Sequence, residues 1–147
     1  MKKTIVSFAL AICIMLSMSV ATTAATPFSI EASSQLDQYS VLLKANGNGD
    51  MSITMTVDGV TKMIEIGVDE VFIEERNTAT SSWHEFDTYY GMDDKDTFYD
   101  YDSYDYIRTI HFNGTVGKYY RVTLSVFGKN EKGIDSGWVT SITVRCK

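Results

Sequence analysis

The chain is 147 residues long, 44% hydrophobic and 22% charged, with 13 basic against 19 acidic side chains. An excess of carboxylates repels phosphate backbones and anionic lipid headgroups, which argues against nucleic acid and membrane surfaces as partners. Two cysteines, Cys13 and Cys146, exclude a disulfide framework as the source of stability.

Lys2 and Lys3 precede an apolar run from Ile5 to Leu16, and small residues follow from Ser17 to Ala25. This reads as a secretory signal peptide over residues 1–25, with cleavage after Ala21, Ala24 or Ala25 and the last two favoured. The run is shorter than the roughly 18–20 residues of a membrane span. Cys13 lies inside it behind bulky Ile12, which does not suit a lipoprotein signal. The expected product is secreted, starts near Thr26 and forms one domain of about 120 residues. Its charge balance is 11 basic against 19 acidic side chains once Lys2 and Lys3 are removed. Cys146 is then the one thiol, either free or available for pairing between molecules.

Residues 26–37 read as a loose lead-in and 38–147 as the folded domain. The alternation of Tyr39, Val41 and Leu43 predicts a first strand, and Asn46 to Asp50 a turn. Met51, Ile53, Met55 and Val57 alternate with Ser52, Thr54 and Thr56, the cleanest strand pattern in the chain. Asp58-Gly59 is expected to break it, and Gly67 to stop a short run from Met63 to Ile66. Val71 to Arg76 and Trp83 to Tyr89 read as strands across a polar loop at 77–82. Tyr104 to Phe112 follows, closed by Asn113-Gly114, and 119–127 with 138–144 are expected to pair across a connection at 129–137. The pattern predicts an all-β fold, a single antiparallel β-sandwich of about seven strands.

Val71-Phe72-Ile73-Glu74-Glu75 with Trp83-His84-Glu85-Phe86 resembles the middle hairpin of fibronectin type III domains, a family of immunoglobulin-like sandwiches. Phe112 to Tyr120 resembles the approach to that family's tyrosine corner, and Tyr120-Arg121-Val122 with Asn130 and Gly133 its penultimate strand. The resemblance implies that Tyr120 is a buried structural tyrosine bonding back to upstream backbone. The chain also resembles a group of small secreted bacterial proteins of unknown function that share Ile66-Gly67, a Ser-Trp and a Gly-Lys-x-Tyr-Arg-Val.

Residues 89–106 hold six of the nine tyrosines, six aspartates, Phe98 and one basic residue, Lys95. Rigid amphipathic rings beside carboxylates are the chemistry of binding loops and of sugar recognition. Tyr89, Tyr90, Phe98, Tyr99 and Tyr101 are the candidate ligand contacts, while Tyr104 and Tyr106 read as strand residues. Asp93, Asp94, Asp96, Asp100 and Asp102 offer hard oxygen ligands for calcium, with Asp105 beside them. The EF-hand spacing fails counting from Asp94 and counting from Asp100, however, so a solvated acidic loop is the plainer reading and no cofactor is otherwise expected. His84 and His111 have no second ligand at short spacing. No Gly-x-Ser-x-Gly elbow occurs, and Glu74 and Glu75 are adjacent and face opposite sides of a strand. Trp83 is expected to pack structurally, and Trp138 to stand partly exposed.

These residues point to a secreted, non-enzymatic recognition module contacting an extracellular glycan or protein through 89–106. A self-associating structural or matrix component, with Cys146 crosslinking or edge pairing, is the alternative, and a small hydrolase the remote one.

Overall fold

The computed structural model describes residues 28–31 and 34–147; the expected signal segment lies outside them. Among the described residues eight strands occur in order: β1 (Phe28–Glu31), β2 (Leu36–Gly47), β3 (Asp50–Arg76), β4 (His84–Tyr90), β5 (Tyr99–Asn113), β6 (Tyr119–Asn130), β7 (Gly133–Thr140) and β8 (Val144–Arg145). A 3-10 turn at Gly91–Asp93 and the one-turn helix α1 (Lys95–Phe98) link β4 to β5. Every pairing is antiparallel. The fold is all-β, as period-2 alternation requires.

The strands form one continuous eight-stranded sheet, and β3 is the reason. Its 27 residues would span about 90 Å if straight, so the strand must bend to stay in a domain this small. The ladder to β5 slips at the bend: Asp58 faces Asp105, but Met63 faces Ser103. Extra residues on one strand bend it without ending it. Asp58-Gly59 therefore turns the strand instead of breaking it, and the three short runs expected between Met51 and Arg76 are one strand. The first half of β3 lies between β2 and β5. Its second half lies between β6 on one side and the start of β5, then β4, on the other. The two halves fold over one core, with β2 lying against β6 and β7 without hydrogen-bonding to either.

The core is filled by the alternating residues of the strand patterns. Met51, Ile53, Met55 and Val57 join Val122, Leu124 and Val126 in one buried cluster that also takes Val41, Leu43, Val71 and Ile73. Each such side chain contributes about 1.5–3 kcal/mol by leaving water. On the side where β4 and β5 are edge strands, three rings close the gap: Phe86, Phe112 and Tyr120, with centroids 5.3–5.6 Å apart. Phe86 reaches this cluster from a bulge, since Ile73 faces Asp87 while Glu74 faces Glu85.

Turn chemistry explains two hairpins. Gly47 pairs with Asp50 across Asn48-Gly49, whose φ angles of 54° and 85° are those an Asn-Gly type I′ turn requires. The β6–β7 connection is tighter than expected: Asn130 pairs with Gly133, and the Asn130 side chain accepts the Lys132 N–H at 2.8 Å. Part of the supposed lead-in is also a strand, since residues 28–31 pair with the otherwise open edge of β2.

Of the two readings of the carboxyl-terminal thiol, the structure fits the free one. Cys146 is 2% exposed, a member of the core, and burial raises its pKa. A buried neutral thiol is neither nucleophilic nor reachable by a partner. Cys146 should therefore resist a thiol reagent in native buffer and react fully in denaturant, as a colorimetric thiol titration will measure.

Candidate functional site

Strand register gathers the aromatic residues on the outward face of the second half of the sheet. Cross-strand partners project to the same side, so each row of paired residues can be read across β4 or β5, β3, β6 and β7. One row is Tyr90, Glu70, Ser125 and Trp138. The next is Thr88, Phe72, Thr123 and Thr140, and a 2.9 Å hydroxyl contact joins Thr123 to Thr140. Beyond it Glu85, Glu74 and Arg121 align, followed by Arg76, Tyr119 and Arg145. In the other direction Tyr101, Glu65, Lys129 and Ile134 form the far row.

The face is built to stay open. Tyr90 is 50% exposed, Trp138 57% and Tyr101 55%. Between the Tyr90 row and the Tyr101 row the sheet is covered: Tyr99 packs edge-on against Phe127 at 5.0 Å and donates its hydroxyl to Asp69 at 2.9 Å. Asp69 is available because it is the extra residue of a bulge, with Val68 opposite Val126 and Glu70 opposite Ser125. Burial first, then the Asp69 carboxylate, push the Tyr99 hydroxyl far above the ordinary phenol range. Gly67, which pairs with Tyr99, is held by proximity: a Cβ there would lie 2.1 Å from the Phe98 carbonyl oxygen.

Of the residues singled out by composition, the register brings Tyr90 and Tyr101 onto this face as exposed rings, with Tyr99 on the same side but buried and part of the core cluster. Phe98 is instead a core residue, and Tyr89 is half-buried against the core. Tyr106 is fully buried, with its hydroxyl donating to the Thr97 carbonyl at 3.1 Å. Composition alone missed Phe72, Tyr119 and Glu70, because what unites them with Tyr90 and Trp138 is long-range pairing. Trp83 lies just before β4 instead of starting it. It sits between the guanidinium groups of Arg76 at 4.3 Å and Arg121 at 4.5 Å from its ring. The opposite outward face, on β2, the first half of β3 and residues 105–113, offers hydroxyls such as Thr54 and Thr109, 2.8 Å apart, and no Phe, Tyr or Trp.

The aspartates are dispersed by prior commitments. Asp94 caps α1 by accepting the Thr97 N–H at 3.3 Å. Asp100 pairs with Arg108 at 2.6 Å and Asp102 with Lys62 at 2.7 Å. Asp93 and Asp96 are exposed on the connection, and among the described residues no three His, Cys, Asp or Glu side chains are grouped to hold a metal ion. Around Asp100, Asp102 and Asp105 lies a shallow polar concavity of about 330 Å³. His111 Nδ1 lies 3.0 Å from Asp50 on the opposite face, and His84 is exposed.

Glu74 and Glu75 are both engaged. Glu74 receives a two-pronged contact from Arg121 at 2.6 and 3.0 Å. Glu75 accepts from Lys118 at 2.6 Å and from the Tyr120 hydroxyl at 2.9 Å. Burial alone would raise the Glu75 pKa, but the Lys118 and Tyr120 hydrogen bonds outweigh it and hold the carboxyl below its ordinary value. A carboxylate depressed on folding stabilises the native state above its unfolded pKa, and that stability is lost as pH falls through the folded value. Stability should thus decline below about pH 4.5, and Glu75→Gln should flatten that decline, as urea midpoints measured from neutral to acid pH will show.

Comparison with known protein families, characterised proteins and solved structures gives no match to this chain. Among the described residues no helix is long and apolar enough to cross a membrane.

Proposed function

We propose that this protein is an exported, non-enzymatic recognition module that binds a glycan on the outward face carrying Tyr90 and Trp138. The observation that carries the reading is their shared row. Two half-exposed rings stand on β4 and β7, about 14 Å apart by strand spacing, with Glu70 and Ser125 between them. Rings pack on the C–H faces of sugars, while carboxylate and hydroxyl groups bond their hydroxyls and fix orientation. A rigid sheet holds the rings at little entropic cost. The contact surface is thus a sheet face that includes Tyr90 and Tyr101 from the tyrosine-rich segment, and not a loop. Secretion fits the amino-terminal pattern, and the Tyr120 geometry fits a fibronectin-type-III-like frame. The test is retention of wild-type and Tyr90→Ala/Trp138→Ala protein on an immobilised glycan panel, where loss by the folded double variant is expected.

A second reading has its own observation. Among the described residues the long strand β5 pairs with β3 alone, which leaves an edge able to pair with another copy. A sedimentation profile that depends on protein concentration would favour self-assembly; a monomer throughout would leave the glycan reading.

A further inference from the structure

We infer that the row Arg76, Tyr119 and Arg145, at one end of the aromatic face, is an anion subsite. It would take a carboxylate or sulfate group carried on a polysaccharide; this rests on the glycan reading and names its substrate class. Three of the four arginines in the chain, Arg76, Arg121 and Arg145, gather at this end with Lys118. Two of these cations are neutralised locally, Lys118 by Glu75 and Arg121 by Glu74, each at 2.6 Å. Arg76 and Arg145 form no ion pair with a carboxylate among the described residues. Both guanidinium groups approach the Tyr119 ring, at 5.8 and 5.9 Å from its centroid.

The two cations are placed before any ligand arrives. Arg76 is stacked on Trp83 at 4.3 Å, and its Nε is buried without an acceptor. Arg145 is anchored by donating from Nε to the Gly117 carbonyl at 3.2 Å. Their strands are two spacings apart, roughly 10 Å, with Tyr119 holding both guanidinium groups from between, so an anionic group laid across the row meets both cations. The acidic balance of the whole chain does not forbid this. At physiological ionic strength fields decay over about 8 Å, so the local cations govern a group in contact with them.

The test measures affinity electrophoresis of the full chain in polygalacturonate, dextran sulfate and neutral dextran, with a single-stranded oligonucleotide as a further probe. Tighter binding to an acidic polymer than to dextran is expected, with about a tenfold loss in Arg145→Gln and in Arg76→Gln. Arg145→Lys should retain most of the binding. Arg145 is exposed on the last strand, so its variants report even where Arg76→Gln fails to fold. Equal retention by dextran and the acidic polymers would overturn the subsite and leave the glycan reading intact. Undiminished acidic binding in Arg145→Gln would also overturn it, as would equal affinity for the oligonucleotide. No retention by these polymers, with retention on the wider glycan panel, would overturn the subsite alone. No retention on either would overturn both.

Discussion

Tyr120→Ala is expected to cost about 3–5 kcal/mol of unfolding free energy, the range for losing a buried aromatic side chain. That is a large part of the 5–15 kcal/mol that holds a typical domain folded. The ring is fully buried and touches Phe86 and Phe112 edge-on, so its removal opens a cavity where the two edge strands converge. The hydroxyl does separate work: it accepts the Thr115 N–H at 2.8 Å and donates to Glu75 at 2.9 Å. Tyr120→Phe keeps the packing and removes only these bonds, so about 1–2 kcal/mol is expected from it. Urea denaturation of both variants separates the two contributions. Equal losses would mean that the hydroxyl, and not the ring, organises this corner.

Trp138→Ala is expected to weaken glycan binding by at least about tenfold, and Tyr90→Ala/Trp138→Ala to abolish it. Aromatic anchors in a contact surface commonly cost 2 kcal/mol or more when truncated, and 1.4 kcal/mol is a factor of ten. Both rings are half in solvent, so neither substitution removes core packing, and the thermal midpoint should move little. Tyr104→Ala is the control. Tyr104 is equally exposed but lies at the bend, next to the slip between β3 and β5, and outside the rows of this face. Its loss should leave binding unchanged.

Much of the scaffold was legible because burial imposes a period of two. Residues 51–57 and 120–126 alternate cleanly, and their apolar members are all buried. The Asn-Gly turn was legible for the same local reason. The unity of β3 was not, since Asp58-Gly59 and Gly67 carry the chemistry of strand breakers. Only tertiary pairing shows that one sits in a bend and the other beneath the Phe98 backbone. The site was half legible. A concentration of tyrosines can be counted, but whether each ring faces core or solvent depends on bulges at Asp69 and Phe86 that leave no mark in composition. Phe98 and Tyr99 were therefore indistinguishable from Tyr90 and Tyr101 until the register was known. Trp138 joins Tyr90 only through three successive strand pairings.

The most direct measurement is an amide-resolved NMR titration of the protein with an oligosaccharide that the glycan panel retains. Shifts are predicted at Glu70, Phe72, Ser125 and Trp138, including the Trp138 indole, with Thr54 and Thr109 on the opposite face unmoved. Shifts confined to Thr54, Thr109 and His111, or to the β5 edge, would contradict the assignment of this face.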